Sequence, residues 1–204
     1  MIKAIDKRSE FLFPTQIVSG EIPDFDQIQD KLIKWIYKFK KDNNDIARLS
    51  NKGGWQSARK DVFIDKGFQQ FENIIIPIIG ELVSEYQLTL QADIVQMWIN
   101  VNGKYCYNTS HKHAGVELSG VLWVKQKPES GCFVIENMES GFQNLALVES
   151  ANYQYTSNKH IIPEYVPKYK DGTLCIFPAH LSHRVEMNVT NEDRISISFN
   201  IKIL

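Results

Sequence analysis

From Arg194 to Ile203 the chain alternates without a break. Ile195, Ile197, Phe199, Ile201 and Ile203 fall on one side of an extended strand, and Arg194, Ser196, Ser198, Asn200 and Lys202 fall on the other. A run of period two this long commits the stretch to a sheet with two different faces. An ordinary outer strand turns its polar face to water. The alternative is a jelly roll whose isoleucines meet helices while its polar face lines a wet, ligand-holding interior. The run alone leaves both open, and only its company in the chain favours the second.

That company is β-rich. Short runs of Val, Ile, Trp and Phe separated by turn residues predict strands over 88–101, 117–124, 132–136, 173–177, 183–187 and 195–203. So many short strands suggest a sandwich or barrel. The first 90 residues read differently. Pro23 and Asp24 open a helix with a stripe at Ile28, Leu32, Ile33, Ile36 and Tyr37. A second helix is expected over 67–86, with Phe68, Phe71, Ile74, Ile75, Ile78, Ile79 and Leu82 facing inward and a kink at Pro77. Helices gathered ahead of strands pack on one outer face of the β unit. The expected architecture is therefore mainly β: one domain over 1–204, a helical support (1–90) on a double-stranded β-helix, or jelly-roll, core (91–204).

Composition narrows the function. A chain of 204 residues, 43% hydrophobic, suits one core. Its net charge of −1 gives no reason to expect nucleic acid or an anionic membrane as a partner. The first ten residues hold no apolar core for a signal peptide, and the run from Ile74 to Val83 is too short and too interrupted to span a bilayer. Three scattered cysteines without a CxxC read as reduced thiols of a cytoplasmic protein.

The chemistry-bearing residues are histidines. His111 and His113, one residue apart, project from the same face of an extended strand, close enough to share one metal ion. Alone, the pair reads equally well as surface histidines. His183 strengthens the metal reading. Gly172 turns the chain into the apolar run Thr173-Leu-Cys-Ile-Phe177, Pro178 ends it, and His183 then starts a strand at a barrel mouth. A hairpin turning near 188–191 makes His183 and Arg194 near cross-strand neighbours. His180 reads as a loop residue and His160 as a surface one. The 141–169 segment is long for a jelly-roll connection and is expected to carry substrate specificity.

At these residues the chain resembles the 2-oxoglutarate/Fe(II)-dependent oxygenases, and among them a small group of bacterial and phage proteins. The likeness runs through Leu12-Phe13-Pro14-Thr15, Gly54-Trp55-Gln56-Ser57, Trp98-Ile-Asn100, His111-Lys-His113, Leu118-Ser-Gly-Val121, Gly172 to Pro178, His183 and Arg194 to Asn200. It implies Fe(II) held by His111, His113 and His183. It also implies 2-oxoglutarate gripped through its far carboxylate by Arg194, a guanidinium fork suited to that group, with Ser196 and Asn100 assisting. The implied enzyme is an oxidoreductase, a dioxygenase acting as a hydroxylase. It uses molecular oxygen and couples decarboxylation of 2-oxoglutarate to oxidation of an unknown prime substrate.

One departure stands out. The family's motif is His-x-Asp…His, and here the carboxylate position carries His113. Either a three-histidine face holds the iron, or Glu117 supplies the third ligand. Leu122-Trp123 is a second departure, at positions where tyrosines are expected. His111-x-His113-x3-Glu117 with Gly172-x5-Pro178…His183 also lies close to the cupin signatures, which implies an isomerase, a thiol dioxygenase or a non-catalytic binding barrel. That reading leaves Arg194 and Ser196 unexplained.

Overall fold

The computed structural model describes residues 15–43, 50–59, 61–137 and 164–204. Leu12 to Pro14, His160 and most of the 141–169 segment lie outside the described residues. The elements run β1 (Val18–Glu21), α1 (Asp26–Asp42), β2 (Asn51–Lys52), β3 (Trp55–Gln56), α2 (Asp61–Ile64), α3 (Gln69–Ser84), β4 (Ala92–Asn102), β5 (Tyr107–His111) and β6 (Leu118–Lys125). They continue with β7 (Phe133–Glu136), β8 (Glu164–Tyr165), β9 (Thr173–Pro178), β10 (Ser182–Val185) and β11 (Arg194–Ile203).

Two antiparallel sheets form the β unit. The larger has the order β1-β9-β6-β11-β4-β3, the smaller β2-β5-β10-β7-β8. The amino-terminal part is therefore not helical throughout: β1 and β3 extend the large sheet at its two edges and β2 extends the small one. These pieces are two to four residues long, too short to leave a periodic signal.

The long strand β11 lies in the middle of the large sheet, between β4 and β6. Its alternation is realised as two burial environments. Ile195, Ile197, Phe199 and Ile201 join Leu32, Ile36, Phe71, Ile75 and Ile79 of the two long helices in the main core. Arg194, Ser196 and Ser198 instead line a cavity between the sheets. A smaller cluster holding Trp123, Phe133, Ile135 and Phe177 fills another part of that space. The run from Thr173 to Phe177 is apolar at nearly every position because both of its faces are covered: Leu174 and Ile176 meet the helices, Cys175 and Phe177 the opposing sheet. Among the described residues no helix is long and apolar enough to cross a membrane.

The two faces of β11 carry different energetic weight. Ile197, fully buried against the helices, becomes a cavity when truncated, and Ile197→Ala is expected to lower unfolding free energy by about 3 kcal/mol. Ser198→Ala, one position along but on the cavity side, should cost less than about 1 kcal/mol in the same denaturant titration.

Candidate active site

Three strands and a turn bring the histidines together. His111 ends β5 and pairs in register with His183 on β10, which also pairs with Ile135 of β7. His113 lies past the end of β5, so the two rings of the HxH pair do not share one strand face as the spacing suggests. The turn after β9 brings it in: the His113 amide donates to the Ala179 carbonyl (3.0 Å), and the Ala179 amide donates to Glu117 (2.9 Å). Ring centroids then lie 4.2 Å apart for His111 and His183, 5.1 Å for His111 and His113, and 5.0 Å for His113 and His183. One ring nitrogen from each lies within 4.8 Å of the others.

The hydrogen bonds of the other ring nitrogens fix the tautomers. His111 Nδ1 meets the Thr109 carbonyl at 2.8 Å and His183 Nδ1 the Leu181 carbonyl at 2.9 Å. His113 Nδ1 meets Asn200 Oδ1 at 2.5 Å and Ser119 Oγ at 2.8 Å. A carbonyl oxygen only accepts, so each Nδ1 carries the proton and each Nε2 keeps its lone pair. Asn200 is itself oriented, since its Nδ2 donates to Gln96 Oε1 (2.7 Å) and its Oδ1 also accepts from Ser119 (2.9 Å). Burial is the first cause of a lowered pKa at all three imidazoles, down to about 4 at His113 and about 3 at His183. Neutral, preoriented imidazoles are the form that ligates a metal.

Arg194 opens β11 opposite Asn102 of β4. It is 4% exposed, and burial pushes its pKa down to about 10. Its Nη1 donates to the backbone carbonyls of Ser130 (2.7 Å), Gly131 (3.2 Å) and Glu186 (3.1 Å). No carboxylate pairs with it among the described residues. Gly131 makes this cage possible. Its φ is +92°, and a Cβ there would lie 2.2 Å from the Glu186 carbonyl and 2.6 Å from Arg194 Nη1. The hairpin expected between His183 and Arg194 is absent, because β10 and β11 belong to different sheets. The two residues line one cavity from opposite walls.

That cavity has a volume of about 470 Å³, and Asn100 and Ser196 line it too. These two are register partners on β4 and β11, and Asn100 Nδ2 donates to Ser198 (3.1 Å) and more distantly to Ser196 (3.4 Å). Glu117, the alternative ligand, is not in the cluster: it is exposed, and its Oε2 accepts from the Ile203 amide at 2.8 Å. His180 is exposed in the turn after β9. Three buried side-chain polar atoms of the described residues have no hydrogen-bond partner: His113 Nε2, Asn100 Oδ1 and Arg59 Nε. All three residues line this one cavity. Buried polar atoms are nearly always satisfied, so their concentration here marks where a ligand belongs. Three Nε2 lone pairs suit a divalent transition metal, and a buried guanidinium without a carboxylate suits a diacid.

Sequence reasoning did not assign roles to Asn200, Ser119, Gln96, Gly131 or Arg59. Asn200 had a signal, as the last inward member of the alternating run. Arg59 had none, since it reaches the cavity only through tertiary packing.

The chain matches a family model described as "putative 2OG-Fe(II) oxygenase", where 2OG is 2-oxoglutarate, over residues 96–200, just over half its length. It belongs to that family of iron- and 2-oxoglutarate-dependent oxygenases, and so is an oxidoreductase rather than a cupin isomerase or a non-catalytic barrel. No curated protein matches it at a significant level. Solved structures share its fold at low identity. A prolyl-4-hydroxylase from Pseudomonas putida aligns with a TM-score of 0.61 at 11% identity, over 92% of each chain. HygX from Streptomyces hygroscopicus, with nickel and 2-oxoglutarate bound, gives 0.60 at 10%, over 92% of this chain and 82% of that one. The 2-oxoglutarate-dependent epimerase SnoN from nogalamycin biosynthesis gives 0.64 at 13%, over 92% and 76%.

The lowered imidazole pKa values make metal-free stability depend on pH. Below the ordinary histidine value of 6.5 the unfolded chain takes up protons that the folded site refuses, down to about 4 at His113 and about 3 at His183. Stability therefore falls as pH drops from 6.5 toward 4, and these groups contribute no slope above roughly pH 7.5. Tm of the metal-free protein, measured from pH 7.5 to 4.5, should fall less steeply in His183→Gln. Equal slopes would contradict the assignment.

Proposed function

We propose that His111, His113 and His183 hold Fe(II) through their Nε2 atoms. Arg194, assisted by Ser196 and Asn100, receives the far carboxylate of 2-oxoglutarate. The observation that carries this reading is the convergence of three imidazole Nε2 lone pairs whose Nδ1 protons are all committed to carbonyl oxygens. When bound, iron and 2-oxoglutarate supply the oxidising chemistry, in which oxygen is consumed, 2-oxoglutarate becomes succinate and carbon dioxide, and a C–H bond of the prime substrate is oxidised.

The chain's own work is placement. The carbonyls of Ser130, Gly131 and Glu186 hold one edge of the Arg194 guanidinium and leave its remaining nitrogens for the cosubstrate. The barrel buries Arg194 away from water, so a carboxylate arriving there forms a charge-assisted pair in a medium where such a pair is strong. Trp123, Phe133 and Phe177 supply apolar wall to the cavity, the two phenylalanines against His183. Three neutral ligands in place of two and a carboxylate leave the metal one unit more positive, which favours an anionic cosubstrate on it.

Succinate release from 2-oxoglutarate, dependent on iron and oxygen, is the test. Arg194→Ala is expected to weaken 2-oxoglutarate binding by roughly 2–4 kcal/mol while leaving metal content intact, since it strips the partner from a buried carboxylate. His183→Ala is expected to lose the metal. Unchanged cosubstrate affinity in the first variant, or stoichiometric metal in the second, would overturn the roles assigned here.

A further inference from the structure

The cavity carries more positive charge than its cofactors neutralise. Arg59, Lys112 and Arg194 line it, and no aspartate or glutamate is among its described lining residues. A divalent ion and dianionic 2-oxoglutarate cancel one another, and the three imidazoles are neutral. The loaded site therefore keeps a net positive charge, and with Arg194 paired to the cosubstrate it is Arg59 and Lys112 that lack an anion at the cavity wall.

The two arginines lie at different levels of the barrel. Arg194 pairs in register with Asn102 at one end of β4. Arg59 donates from Nη1 to Gln96 Oε1 (3.3 Å), and its guanidinium carbon lies 5.2 Å from the Trp98 ring centroid. Gln96 and Asn102 are separated by roughly 20 Å of strand. The far carboxylate of a diacid held at Arg194 therefore does not meet Arg59 as well. With that carboxylate committed to Arg194 and the other to the metal, a further anion is needed to satisfy Arg59.

Arg59 is built to receive one. Its backbone carbonyl accepts from the Met97 amide at 2.8 Å, which fastens the segment to β4. Its side chain lies over Trp98, and Trp98 is 5.6 Å from His113, so the cation stands beside the metal-binding rings. Its Nε is buried without a hydrogen bond, and no carboxylate pairs with it among the described residues. Partial burial without a counter-ion disfavours its charged form, a cost that a bound oxyanion removes. Lys112, exposed at the cavity wall between the two histidines of the HxH pair, adds attraction at the entrance.

We propose that Arg59, assisted by Lys112, is the receptor for an oxyanion on the prime substrate, a carboxylate or a phosphate. The inference rests on the assignment of Arg194 to the cosubstrate, and it gives the enzyme an acidic substrate class. The guanidinium edge carrying Nε meets the substrate's anionic group and so sets which carbon lies next to the metal.

Binding to the loaded, catalytically silent enzyme tests this. Protein carrying Ni(II) and saturating 2-oxoglutarate is titrated with benzoate, phenyl phosphate and the neutral isostere benzamide, by calorimetry or ligand-observed NMR. At least one anion is expected to bind about tenfold or more tighter than benzamide, the value of one charge-assisted pair. The two anions tell carboxylate from phosphate. R59Q should remove the preference, R59K should keep part of it, and both should bind Ni(II) and 2-oxoglutarate as the wild type does. Equal binding of benzamide and the anions, no anion binding, or an R59Q protein that keeps the preference would overturn the proposal. So would a loss of 2-oxoglutarate affinity in R59Q, which would put Arg59 on the cosubstrate. The comparison of probes on wild type decides the matter even if R59Q fails to fold. Failure of wild type to bind Ni(II) or 2-oxoglutarate would instead count against the metal and cosubstrate roles proposed above.

Discussion

Three N–H groups pointing away from one another determine what this barrel can do. Each imidazole gives its Nδ1 proton to a fixed oxygen: the Thr109 and Leu181 carbonyls and the Asn200 side chain. The first two acceptors lie two residues from their own histidine, so local backbone turns those rings. The third is long-range and depends on β11 being in register with β4, since Gln96 orients Asn200 from across that pair. The geometry of the three imidazoles is thus coupled to strand register, because a slip of one residue would send Asn200 to the helix face.

The same strand explains how a chain of this size keeps a polar interior. Alternate residues of β11 bury isoleucine and phenylalanine against α1 and α3, and that face supplies hydrophobic stabilisation. The opposite face is released from packing duty and carries Arg194, Ser196, Ser198 and Asn200. Burying Arg194 without a carboxylate costs stability, and the three carbonyls around its Nη1 offset part of that cost. Gly131, at a positive φ and in contact with the guanidinium, is the backbone concession that permits the cage.

Much of this was legible from residue order. The β11 alternation, the helix stripe at Leu32 and Ile36 and the histidine spacing are strong local signals, and the jelly roll with helices on one outer face follows from them. Short strands β1, β2, β3 and β8 were not legible, because two to four residues do not establish a period and their pairing is long-range. The hairpin expected between His183 and Arg194 failed for a related reason. The chain between them is compatible with a turn, but β10 finds better partners in β5 and β7, and β11 in β4 and β6. Arg59 and Gln96 carry no motif at all, and only the fold brings Arg59 over Trp98 and Gln96 onto Asn200.

Three imidazoles, and no carboxylate, are proposed to hold one ion. X-ray absorption on the Fe(II)-loaded protein, with metal content counted in parallel, decides between this shell and one that includes Glu117. One iron per chain is expected, with a coordination shell of three imidazole nitrogens that falls to two in His113→Ala and is unchanged in Glu117→Ala. A shell with two imidazoles and a protein carboxylate that disappears in Glu117→Ala would contradict it.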